Sequence, residues 1–292
     1  MNVEFVLPAM VLLGLTLTLG MGRWHLPPRP AIRALAAVAA IAATTVATVV
    51  AATAAAFVLG PARRAEIIEW CRIVPLHHEV GPIAGVASLT AVAFMTIRVW
   101  LVLRRRRQAT RNTAGRRISV LETPAPIAYA APGTPGCVVV STGLLSALEP
   151  RERQVVFAHE RAHLRQGHHR YVLTGSLAVA IVPLLRPLVD RLRLATEYCA
   201  DEEAAATLGD RRLVATAIAK AALTKTAFNG VVPAFSGGPV VARVNALMSG
   251  PPSSWSTWFG LVAIAAGTVS AIAAGSIQLH HLWVLADHIC HG

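Results

Sequence analysis

His159-Glu160-Arg161-Ala162-His163 sets two imidazoles four residues apart, with a carboxylate directly after the first. On an α-helix four residues make slightly more than one turn, so both rings leave one face, beside Val155 and Val156, and can reach a single ion. Glu160, about 100° further round the helix, is a poor third ligand but is placed to take a proton from an attacking water. Pro150 suits the first helical position and Gly167 the stop, so the pattern predicts a helix over 151–166.

The motif alone has limited specificity. A catalytic zinc site takes three protein ligands and leaves a fourth position open, so another donor must come from a separate element. Glu197-Tyr198-Cys199-Ala200-Asp201 supplies one. One helical turn apart, Glu197 can bind the metal while Asp201 accepts a hydrogen bond from a ligand imidazole and fixes its tautomer. The competing reading is a solvated acidic helix face, since Glu202 and Glu203 adjoin.

The elements that must position these groups lie in an unusually apolar chain. Of 292 residues, 54% are hydrophobic and 14% charged, which excludes disorder and collagen-like repeats and fits an ordinary soluble globule poorly. Uncharged stretches at about 5–21, 34–60, 80–97 and 257–286 each approach or exceed the roughly 18–20 residues that cross a bilayer. The expectation is a mainly α, multispanning membrane protein with about four transmembrane helices, its partner the lipid bilayer of the plasma membrane. The first stretch lacks the basic start of a cleaved signal peptide and is expected to be retained.

The net charge of +12 is read by its placement. Arg104, Arg105, Arg106 and Arg107 follow Leu103 directly, as a cytoplasmic stop-transfer flank would, so direct nucleic-acid binding is not expected. Both termini are then external. Three spans with short loops are expected over 1–103, a cytoplasmic α+β zinc peptidase domain over 104–254, and a fourth span with a short tail over 255–292. Trp255, Trp258 and Trp283 suit the interfaces of that last span, and Ala263, Gly267, Ala271 and Gly275 offer a small-residue stripe to another helix. A homodimer is open on this reading.

The apolar segment near 171–189 separates the two half-sites. A single crossing would leave the histidines and Glu197 on opposite faces of the membrane, although all three must come within about 2 Å of one ion. It is therefore expected to be a helix buried in the domain, or one that dips into the membrane and returns. The β-prone run Cys137–Ser141 could be a sheet edge that pairs with a substrate backbone or an internal strand. Cys137 and Cys199 are expected as free thiols; Cys71 and Cys290, both external, could form a disulfide.

Val139-Val140-Ser141-Thr142-Gly143-Leu144-Leu145, Glu152, the HExxH helix and Glu197-x-x-Ala-Asp201 together resemble the BlaR/MecR-type membrane metallopeptidases, antirepressors of the gluzincin class. The resemblance implies a zinc ion held by His159, His163 and Glu197, Glu160 as general base, and cleavage of a DNA-binding repressor, or of the peptidase itself, after an external signal. Two departures accompany it. The chain stops soon after the fourth apolar stretch, so the family's extracellular penicillin-binding sensor is expected to be absent and beta-lactam sensing is not carried over. Where many relatives have Asp-His, this chain has His168-His169, readable as extra ligands or as surface histidines. Arg243 resembles a downstream arginine of related membrane zinc peptidases; it could help stabilise an oxyanion or form a salt bridge.

Three other readings share these features: a broad-specificity quality-control peptidase, a sensor or scaffold whose zinc is structural, and a transporter. The transporter is disfavoured because, Arg98 apart, the spans carry no ionisable relay.

Overall fold

The computed structural model describes residues 14, 16, 17, 20, 28–58, 81–111, 115–229 and 238–249. The expected first span lies almost wholly outside them. So do the expected fourth span with its tryptophans and small-residue stripe, and Cys71 and Cys290.

Two long helices come first, α1 (Pro28–Val58) and α2 (Pro82–Arg111). Among the described residues these are the two long and apolar enough, by length and composition, to cross a membrane. Each begins on a proline, where the missing N–H costs nothing. The tetra-arginine run does not end α2; the helix continues through it, so the boundary expected at 104 falls within a helix.

A small sheet follows, from β1 (Ile118–Leu121), β2 (Ala128–Ala131) and β3 (Cys137–Ser141). Its order is β1-β3-β2, with β3 parallel to β1 and antiparallel to β2. All five residues of β3 are buried. Of the two readings of Cys137–Ser141, the internal strand is therefore the one found, because a β-branched run with no polar face needs cover on both sides. The edge on that side of the sheet belongs to β2.

The rest is helical: α3 (Thr142–Ala147), α4 (Pro150–Arg165), α5 (His168–Ile181), a 3₁₀ turn at Pro183–Leu185, α6 (Arg186–Leu208), α7 (Arg211–Asn229) and α8 (Pro239–Ser249). α4 starts on Pro150, and the Glu149 N–H donates to Glu152 Oε2 at 2.7 Å, a capping box one turn in. Lys220 of α7 holds the same carboxylate oxygen at 2.8 Å. Gly167, in the left-handed region at φ +63°, ends the helix and turns the chain straight into α5.

The apolar segment between the half-sites forms α5, reverses at the 3₁₀ turn and comes back as α6. A hairpin of this kind returns Glu197 to the end of the molecule where the histidines sit. α1 packs along it, and one apolar cluster joins Leu35, Ala39 and Ala42 of α1 to Ala178 of α5 and Leu188 and Leu192 of α6. Gly175 sets the spacing of the two hairpin arms: a Cβ there would stand 2.9 Å from Val189 Cγ1. A second cluster, with Val155, Ala204, Val214 and Leu247, locks α4, α6, α7 and α8 together.

Candidate metal centre

α4 and α6 cross so that His159, His163 and Glu197 each offer a ligand atom, all within 4.8 Å of one another. The pairwise distances are 3.1 Å between the two Nε2 atoms, 3.4 Å from His159 Nε2 to Glu197 Oε2, and 3.5 Å from His163 Nε2 to Glu197 Oε1. Donors at about 2.0–2.1 Å from a tetrahedral ion stand about 3.3–3.4 Å apart, so this triangle fits zinc without rearrangement. Two imidazoles and a carboxylate are also the donor types that zinc takes in catalytic sites.

Behind the triangle lies a charged frame. His159 Nδ1 stands 2.9 Å from Asp201 Oδ1. Arg243 of α8 donates from Nε and Nη2 to the two Asp201 oxygens, both at 2.7 Å, and its Nη1 lies 3.0 Å from Glu197 Oε2. Of the two roles open to Arg243, the salt bridge is the one its contacts occupy. Asp201 is almost fully buried, and a buried carboxylate is tolerable only with such partners. His163 turns Nδ1 toward His168, whose Nδ1 is 2.9 Å away.

These contacts set the protonation states of the metal-free centre. Burial pushes the His159 imidazole down, but the hydrogen bonds and charges of Asp201 and Glu197 outweigh it and raise it to about 9. Burial would raise Glu197, yet its bond to His159, with the charges of His159, Arg243 and His163, holds it at about 2. His163 falls to about 3, from burial and then the charge on His159. Burial raises the Glu160 carboxyl above its usual range, against the opposing charges of His159 and Arg243 and a hydrogen bond from the Ala130 backbone.

A cavity of about 770 Å³ opens over the triangle, between Val102 and Arg106 of α2, Tyr129 and Ala130 of β2, and Ile218 of α7. Glu160 lines it together with both histidines and Glu197. Cys137 and Cys199 are free, as expected, and both are buried.

Sequence reasoning assigned His168 no definite place. It is 2% exposed and touches a metal-helix histidine, so it is neither a surface residue nor part of the three-donor group. The available signal was Gly167: a left-handed stop puts the next residue back beneath the helix that has just ended.

No solved structure matches the chain. Residues 100–186, from within α2 through the sheet, α4 and α5 to the first residue of α6, match the model of Peptidase family M48, so what the chain resembles over that stretch is a metallopeptidase, with the HExxH helix inside the match and Glu197 beyond it.

Proposed function

We propose that this chain is an integral membrane zinc endopeptidase that carries out regulatory proteolysis on a cytoplasmic protein, such as a DNA-binding repressor. The observation that carries the reading is the triangle itself: three donors of catalytic-zinc type, from two helices separated by a hairpin, with a second carboxylate, that of Glu160, beside them in an open cavity. A structural site would be closed by a fourth protein ligand.

In this reading His159, His163 and Glu197 hold the metal, and Asp201 and Arg243 hold the ligands. Bound there, zinc would supply the Lewis acidity that makes a water nucleophilic near neutral pH and a scissile carbonyl electrophilic. Glu160 takes the proton from the attacking water and delivers it to the leaving amine; burial lifts its carboxyl toward the range in which a base can do both. β2, the edge strand beside the cavity, is the place for a substrate backbone to add as a further strand, which moves that role from Cys137–Ser141 to Ala128–Ala131. Membrane residence rests on the apolarity of α1 and α2. The repressor substrate rests on the BlaR/MecR-like motifs.

Glu160→Gln keeps size and hydrogen bonding but removes the base. It should leave zinc stoichiometry unchanged and lower turnover at least about a hundredfold. Comparing the proteomes of cells carrying the wild type and this variant should reveal fragments made only by the former. Equal cleavage by both would refute the role of Glu160, and a wild type that binds no zinc would refute the whole reading.

A further inference from the structure

The two histidines of α4 are backed unequally. Each turns Nε2 into the triangle, and each presents Nδ1 to a neighbour 2.9 Å away: Asp201 for His159, His168 for His163. An imidazole binds a metal through Nε2 only when its proton is on Nδ1, so whatever faces Nδ1 must accept that proton's hydrogen bond. An ionised Asp201 can do nothing else. His168 accepts through Nδ1 only if its own proton is on Nε2, and that atom is buried with no hydrogen-bond partner among the described residues.

We infer that His168 is the positioning residue of His163: a neutral imidazole whose Nδ1 accepts the His163 Nδ1–H and so keeps His163 Nε2 bare for the metal. The inference rests on the metal site proposed above. In the opposite arrangement His168 would donate, and the His163 proton would move to Nε2, which points at His159 Nε2 and Glu197 Oε1 and would close that corner of the triangle. The fold builds the contact deliberately. Gly167 reverses the chain at φ +63°, so the first residue of α5 lies against the last turn of α4, and the two rings meet edge to face with centroids 4.9 Å apart. His168 stands outside the three-donor group and meets it through the Nδ1 of His163.

The test uses the full chain purified in detergent, with zinc affinity measured by chelator competition for wild type, His168→Asn and His168→Leu. Asn places an amide oxygen close to the position of Nδ1; Leu fills similar space with no acceptor. His168→Leu should bind zinc about 10–100-fold more weakly, and His168→Asn should stay within about threefold of wild type, the range expected when an outer partner of a metal ligand is lost and then restored. Melting of the metal-free forms checks that both variants are folded. Should either not fold, nitrogen-15 spectra of histidine-labelled, zinc-loaded wild type decide: His163 should carry its proton on Nδ1, and His168 should have Nδ1 bare. Wild-type affinity in His168→Leu, an Asn variant as weak as the Leu variant, or a proton on His168 Nδ1 overturns the inference. A wild type that takes up no zinc overturns instead the metal site on which it stands.

Discussion

α1 and α2 are matched in length and apolarity, with peak mean hydropathy of 2.2 and 2.0, yet 44% of the apolar window of α1 is buried against 6% for α2. Ala31, Ala36, Ala39, Ala42 and Ala43 of α1 sit inside the cluster it shares with the α5–α6 hairpin. α2 instead exposes Ile83, Val86, Phe94, Ile97 and Trp100. Lipid is as apolar as a leucine side chain, so hydropathy cannot tell a helix that faces lipid from one that packs on protein; side-chain size can, because close approach needs small residues. α1 is thus built into the core around the α5–α6 hairpin, whereas α2 packs on α1 and α5, leaves its large apolar residues exposed, and borders the cavity through Val102 and Arg106.

The contrast is broken most directly by truncating one large residue on each side of it. Leu192, fully buried in the cluster that α1 shares with the α5–α6 hairpin, should cost about 2–5 kcal/mol as Leu192→Ala, because the surrounding helices cannot collapse into the void. Leu101 on α2 is part of the exposed face, and Leu101→Ala should stay within about 0.5 kcal/mol. Thermal unfolding in micelles reads both. Equal losses would mean that the face of α2 is covered by protein.

A second contrast runs along α6. Its first half meets α1 through apolar contacts that pH does not touch, whereas its second half carries Glu197 and Asp201. In the metal-free chain the His159 pKa rises from 6.5 to about 9, so its contribution to stability is fully present below about 6.5 and is lost as pH climbs through about 9. Glu197, lowered from 4.5 to about 2, contributes above about 4.5 and ceases to do so as pH falls through about 2. Metal must displace the His159 proton, so zinc affinity should increase by nearly tenfold per pH unit between about 6.5 and 9. Chelator competition across that window measures it. A flat profile would mean that His159 is already neutral, and Asp201→Asn, which removes a charge that raises His159, should flatten it.

The comparison also marks what the sequence could and could not disclose. The meeting of His159, His163 and Glu197 was legible because helix geometry fixes spacings of four, and because a metal's coordination demands a third donor whatever the fold. Pro150 and Gly167 bracketed α4 for equally local reasons. The course of 171–189 was legible only as an alternative, since its outcome depends on α1, more than a hundred residues away in the chain. β3 posed the same difficulty: an all-apolar run says that both faces are covered but not which strand lies outside it. His168 escaped because its role is a contact made by a reversal of the backbone, which no periodicity encodes.

The smallest expected effect probes the same α1 interface at its polar end. Arg29, near the start of α1, reaches Glu203 on α6 at 3.4 Å, while Arg165 and Gln166 at the end of α4 hold that same carboxylate. Glu203 therefore keeps partners if Arg29 is removed, and the Arg29 side chain is 76% exposed, so water and salt screen most of the attraction. Arg29→Ala should lower stability by no more than about 0.5 kcal/mol, and less at high salt. If α1 is held to the α5–α6 hairpin by its alanine-lined apolar face, that loss will be barely measurable beside Leu192→Ala; a loss of comparable size would show that the helix is anchored by charge and that its burial is a consequence of docking instead of its cause.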